Sequence, residues 1–401
     1  MKAPPRATIV LLLVLASAPV SGEVPHVAND AAPRDGIVDC TLEEQWRAGG
    51  LDDDENLFGV IAQVLADEAG NLYLLDQQLS EVAVFSPDGE RLATLSREGD
   101  GPGETRNPND MFFLPDGNIG LIQVFPGKII RIDREGNPAG VFPLQSGDPT
   151  AGAGFSVLVR GKCRGGDLAL VGIDQSFGAG LLEQTYYLRS FSVEGERQAE
   201  YAMKTAQQNF ADMVLDEEVV DFVWTRWDLA GGGRVVVAPH RNRYLLEIRD
   251  AGGDLLRTCA RPYEPLPREA ADTARATALL EAQGRNYPMM PRVVVSDYEP
   301  DLVSLQVLDD DTIWVTTSRG VRAQPEGIMM TFDVFDMDGV FVRQVRVHAD
   351  GDGQFDLLYL VDGERAVLVK NFLNTFLSSM GAESGDEGAE PMEVLSCRIA
   401  Y

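Results

Sequence analysis

The residues of this chain that could do chemistry are sparse and mostly basic. Lys128, the run His240, Arg241 and Arg243, the pair Arg319 and Arg322, and Lys370 stand in short polar segments. Each segment follows a run of apolar residues with strand-like alternation. Converging ammonium and guanidinium groups bind carboxylate or phosphate, and Arg does so with a two-pronged fork. Asp76, Asp174 and Glu326 fall in matching segments and support a plainer alternative, solvated loops of balanced charge. The candidate ligand-binding residues are therefore Asp76, Lys128, Asp174, His240, Arg241, Arg319 and Lys370.

Other chemistries find less support. His26, His240 and His348 are the only histidines, too few for a zinc site built on several imidazoles. No GxSxG, HExxH or phosphate-loop run occurs, so no catalytic residue is assigned. Three acidic clusters offer the oxygens that calcium prefers: Asp52 to Asp54, Asp309 to Asp311, and Asp350 with Asp352 and Asp356. None has the spacing of an EF-hand loop, and turn geometry accounts for the middle one. No cofactor is expected; calcium or another divalent ion is the one candidate.

The elements that must position these residues follow a repeat. A tight Gly/Asp turn and then a short alternating strand recur at 66–76, 114–123, 163–172, 229–238, 308–317 and 360–369. Gly and Asp accept the positive φ of hairpin turns, and the Leu, Ile, Val and Tyr that follow favour extended chain. A second turn follows at 84–95, 131–144, 190–203, 247–260 and 334–347, five times against six. Six sheets of four strands need one strand more than the repeats supply. The segment 40–48 (CTLEEQWRA) is free to provide it by pairing with 392–401 (MEVLSCRIAY), which would close the ring and remove open edges. The expected fold is all-β: a six-bladed β-propeller with four-stranded blades, its last blade completed by the N-terminal strand. Between the fourth and fifth repeats, 267–284 carries Pro267 near its start and Gly284 at its end, which predicts one helical insertion.

Met1 to Gly22 has the layout of a secretory signal peptide: Lys2 and Arg6, the apolar run Ile9 to Ala16, then small residues. The organisation is thus a leader at 1–22, a flexible lead-in at 23–39 and the propeller at 40–401. Export to the periplasm or medium is expected, with no membrane span and a monomeric chain. The net charge is −29, or −31 without Lys2 and Arg6, a field that repels nucleic acid.

GDGQF at Gly351 to Phe355 resembles the opening of an NHL repeat. Asp67, Gly70, Asn71, Tyr73 and Asp76 match the turn and strand that follow in that repeat. With the leader and the Trp46-containing opening at 46–59, the chain resembles the bacterial exported six-bladed propellers. That resemblance implies a binding or interaction protein engaging a small molecule or an exported partner at the channel face. Similar propellers that hold a divalent ion imply the alternative, a metal-dependent lactonase, hydrolase or lyase. In the closure model Cys40 and Cys397 reach the same end of one blade, where either a disulfide or two buried thiols would fit.

Overall fold

The computed structural model describes residues 23–144, 154–209, 211–285, 287, 289–381 and 391–401. The leader read at 1–22 lies outside the described residues. Alternating apolar strands separated by glycine turns form antiparallel four-stranded runs. Gly70 (φ 86°) and Gly117 (φ 85°) hold the positive φ that such turns require.

The first sheet comprises Ile61–Ala66, Leu72–Asp76, Glu81–Phe85 and Arg91–Leu95, each pairing with the next. The second comprises Pro108–Phe113, Ile119–Gln123, Lys128–Ile132 and Pro138–Val141. The third is taller, with Gly154–Arg164, Asp167–Gly178, Leu181–Phe191 and Arg197–Asn209. Trp227–Leu229, Val235–Val237, Leu246–Arg249 and Leu255–Ala260 follow. Two further antiparallel runs are joined in one eight-stranded sheet. These are Leu302–Val307, Ile313–Thr317, Met330–Phe335 and Phe341–His348, then Leu357–Leu360, Arg365–Lys370, Glu393–Ala400 and Ile37–Gly49.

Apolar clusters fill the wedges between neighbouring runs, as where Met111, Ile119 and Ile130 of the second sheet meet Tyr73, Leu75 and Val82 of the first. The first strand of each run faces the axis, and side chains there link each run to the next. Gln63 Nε2 donates to Asp110 Oδ1 (2.7 Å), and the Gly161 N–H donates to Asp110 Oδ2 (3.0 Å). Lys162 Nζ and the Val307 N–H both donate to Asp228 Oδ2 (3.0 Å each). Gln306 Nε2 donates to the Leu360 carbonyl (2.6 Å), and the Tyr359 hydroxyl reaches the Ile61 carbonyl (3.5 Å). The chain of bonds returns to the strand where it began. This is a β-propeller arrangement.

The strand Ile37–Gly49 closes the structure. Its first part runs parallel to Phe341–His348, and its second part, from Thr41 to Gly49, runs antiparallel to Glu393–Ala400. Its Trp46 ring stacks on Phe85 of the first sheet (centroids 5.3 Å apart), and the indole N–H donates to the Pro87 carbonyl. One strand therefore binds the end of the chain to its beginning.

Three sequence expectations are refined here. The predicted helix forms as Ala270–Gly284, with Glu269 and Asp272 in a reciprocal capping box. The lead-in read as flexible is ordered where described. His26–Ala28 adds a parallel edge strand to Leu255–Ala260, and the Arg34 and Asp35 N–H groups donate to the Phe341 and Val342 carbonyls. The bridge considered for Cys40 and Cys397 is not formed; all four cysteines are free. Register explains this. Cys40 lies opposite Val347, whereas Cys397 lies opposite Glu44, four residues along the closing strand. That offset is roughly 13 Å, beyond disulfide reach. Both thiols sit in one apolar cluster, where burial pushes each up to about 11.

Asp228, like Asp110, accepts an axial bond from each of two neighbouring runs. Asp228→Ala orphans the Val307 N–H and the Lys162 amine together, and we expect a loss of about 3 kcal/mol in urea unfolding. A loss under 1 kcal/mol would show that these bonds do not hold the sheets together.

Candidate ligand-binding site

The loops joining second to third strands share one end of the sheets, and the sequence placed its candidate residues there. Asp76, 1% exposed, accepts the N–H groups of Gly59 (2.6 Å), Val60 (3.1 Å) and Leu79 (3.0 Å). It folds the entry to the first sheet and presents no oxygen to solvent. Asp174 accepts from Ser156 Oγ (2.7 Å) and Arg189 Nη1 (2.8 Å). Lys370 pairs with Asp350 at 3.4 Å. Arg319 donates to the Glu264 (2.7 Å) and Pro265 (3.2 Å) carbonyls. Lys128 is half-buried at the start of its strand. These residues belong to different sheets, and among the described residues no hydrogen bond or ion pair joins one of them to another.

His240 and Arg241 do share a site. A cleft of about 690 Å³ opens between the strand Arg197–Asn209 and the loop 239–243. Its floor is the buried pair Phe222 and Val223, and Met203, His240, Asn242 and Arg243 are exposed around it, with Lys204 half-buried. Pro239 at the loop's start disfavours a continued strand. The loop then turns Arg241 inward while His240 and Arg243 stay exposed. Lys204 is committed to the far wall, where Nζ donates to the Glu218 (3.0 Å) and Asp221 (2.9 Å) carbonyls. Burial holds its amine below the ordinary lysine value. Asp216 caps the short helix Glu217–Val220 by accepting from the Glu218 N–H (3.0 Å).

Arg241, 9% exposed, fastens the loop from below. Its Nη2 donates to Glu217 Oε1 and to the Tyr298 carbonyl, both at 2.9 Å. Arg268 grips the same carboxylate with both terminal nitrogens (2.6 and 2.8 Å), and the Ser296 N–H adds a fourth donor (2.9 Å). Burial alone would raise the Glu217 pKa. The Arg268 and Ser296 hydrogen bonds and the Arg241 charge outweigh it and hold the carboxyl below the ordinary glutamate range. From Arg268 the pairs continue to Glu299 (2.9 Å), Arg322 (2.7 Å) and Asp272 (3.0 Å). This hub ties the helix Ala270–Gly284 and the helix Ser318–Arg322 to the cleft.

Of the residues singled out in the sequence, His240 and Arg241 line this cleft; Lys204, Glu217, Asp221 and Arg268, which line or brace it, were not among them. Glu217 and Arg268 lie in the long stretches between the repeats at 163–172, 229–238 and 308–317, and nothing local marked them as partners. Among the described residues, no group of three His, Cys, Asp or Glu side chains is placed to hold a metal ion. The acidic clusters organise turns: Asp53 accepts from Gly49, Glu55 and Asn56, Asp311 from Gly231 and Arg234, and Asp356 from Asp352 and Asn371. No helix among the described residues is long and apolar enough to cross a membrane.

No protein-family model and no curated protein matches the chain. Solved structures resemble it in chain path. A candidate exported protein from Bacteroides fragilis is 12% identical with TM-score 0.48, the match covering 94% of this chain and 100% of the other. Regucalcin, a calcium-binding protein from Agrobacterium tumefaciens, is 8% identical with TM-score 0.45, covering 91% and 97%. Virginiamycin B lyase from Staphylococcus aureus is 7% identical with TM-score 0.40, covering 89% and 98%. Similarity this low transfers no ligand or residue role, and the fold assignment stands on the sheet topology.

The hub makes Glu217 a structural group with a definite pH signature. Its lowered folded pKa means its stabilisation is present above the ordinary value of 4.5 and is lost as pH falls through the folded value. Glu217→Gln should cost about 3 kcal/mol at pH 7 by removing the charge that Arg241 and Arg268 share. The deficit should shrink in urea titrations below pH 4.5. A pH-independent deficit would contradict an ionised hub.

Proposed function

We propose that the chain is an exported, six-bladed, NHL-like propeller that works as a binding protein. It holds a small anionic ligand, or an acidic segment of an exported partner, in the cleft beside the loop 239–243. One observation carries this reading: His240 and Arg243 are exposed on the rim of a cleft floored by Phe222 and Val223. The cations Arg241, Arg319 and Lys370 at the same end are already engaged within the chain. The leader at 1–22 supports export, the repeated four-strand runs support the count of six, and GDGQF at 351–355 supports the NHL-like kinship. The apolar floor with a cationic rim suits an anion that carries an apolar body.

The reading is tested by calorimetric titration of the mature protein with benzoate and with benzylamine. Benzoate should bind and benzylamine should not. His240→Ala with Arg243→Ala should weaken benzoate at least tenfold and flatten its salt dependence. Equal affinity in the double variant would remove the cleft from the reading.

A further inference from the structure

We infer that the seam where the ring closes carries a second ligand site, a cavity that takes a small apolar α-amino acid as its zwitterion. The cavity measures about 290 Å³. The closing strand contributes Gln45, the last strand Ser396 and Arg398, the strand before it Arg365, and the first sheet Leu72. Both ends of the chain therefore build it, and only the closed ring contains it. Its floor is apolar and buried at Leu72, Ala366 and Val367. The ladder between the closing strand and the last strand slips by one residue between Glu44 and Trp46, which leaves Gln45 without a partner opposite it. A bulge of this kind re-aims a side chain, and Gln45 is exposed at the mouth of the cavity.

Arg365 reaches across the seam. Its Nη1 lies 3.1 Å from the point where a Cβ on Gly70 would stand, so the guanidinium packs over that glycine of the first sheet. Asp362 holds Arg365 through Nε (2.9 Å). Among the described residues, neither terminal nitrogen of Arg365 donates a hydrogen bond. The neighbouring Glu364 also lines the cavity, and among the described residues its carboxylate accepts no hydrogen bond and forms no ion pair. An open guanidinium fork and an open carboxylate beside an apolar floor match a ligand with a carboxylate, an ammonium and an apolar side chain. The local charges select against a plain anion. Asp362 and Glu43 offset Arg365 and Arg398, and Glu364 adds one further negative charge. A carboxylate that brings its own ammonium meets both groups. Small-molecule sites start at roughly 300 Å³, so the volume suits a single amino acid. This site uses none of the residues of the cleft at His240.

The test is calorimetric titration of the mature protein with leucine, 4-methylvalerate and isoamylamine, which share one apolar body and differ in charge. Leucine should bind at least fivefold more tightly than either of the others. Arg365→Met should erase its advantage over isoamylamine, and Glu364→Gln its advantage over 4-methylvalerate. The His240→Ala with Arg243→Ala variant should bind leucine as the wild-type protein does. If Arg365→Met does not fold, Glu364→Gln decides alone, since that side chain is exposed and holds no partner in the chain. Absence of leucine binding, equal affinity for leucine and 4-methylvalerate, or leucine affinity unchanged in Glu364→Gln would overturn the site. Loss of leucine binding in the His240 and Arg243 variant would overturn it too, by placing the ligand in the cleft.

Discussion

The fold depends on the satisfaction of polar groups along its axis. The innermost strands carry buried polar side chains along the axis, among them Gln63, Asp110 and Asp228. An unpaired donor or acceptor there costs about 1 to 3 kcal/mol, more if charged. The chain meets this by handing each bond to the next run: Gln63 to Asp110, Gly161 to Asp110, Lys162 and Val307 to Asp228, Gln306 to Leu360, Tyr359 to Ile61. Removing any run would orphan groups on both neighbours. The last link needs the first and final runs side by side, and the closing strand holds them there through Trp46 on Phe85 and the ladder to Glu393–Ala400.

Charge is distributed by the same rule. With 63 acidic and 34 basic residues, most cations find an acid nearby, and the structure uses arginine to organise the acids. Glu217 gathers Arg241, Arg268 and the Ser296 N–H, and the pairs run on through Glu299 and Asp272. Pairs this buried contribute less net stability than their number suggests, because desolvation offsets attraction. Their effect is positional: they fix two insertions and the cleft wall against the loop 239–243. At the cleft, His240 and Arg243 take part in no ion pair among the described residues and are exposed.

Much of the architecture was legible in the sequence because hairpin turns have strong local chemistry. The turn at Asp67 to Asn71 reads directly from its residues, and Asp67 accepts from the Asn71 backbone and side chain. The closing strand was legible by counting, since one strand was missing and 40–48 was unpaired. Register was not legible. The cysteine pair looked adjacent in strand order, but the offset between Cys40 and Cys397 is set by the register of the closing strand, which places Glu44 opposite Cys397. The edge strand at His26–Ala28 is three residues long and borrows its order from Leu255–Ala260, so no periodicity marked it. At the site, a lone Asp or Arg in a loop carries no sign of its partner. Asp76 looked like a ligand and caps a turn; Arg241 looked like an anion binder and holds Glu217, twenty-four positions away.

The central claim is that the axial bonds act as one element, and native-state hydrogen exchange tests it most directly. The Gly161 and Val307 amides belong to different runs and donate to Asp110 and Asp228. If the ring opens only as a whole, both amides exchange with the free energy of global unfolding and share its urea dependence. If the two amides exchange at clearly different free energies, each through its own partial opening, the sheets are independently stable and the account is wrong.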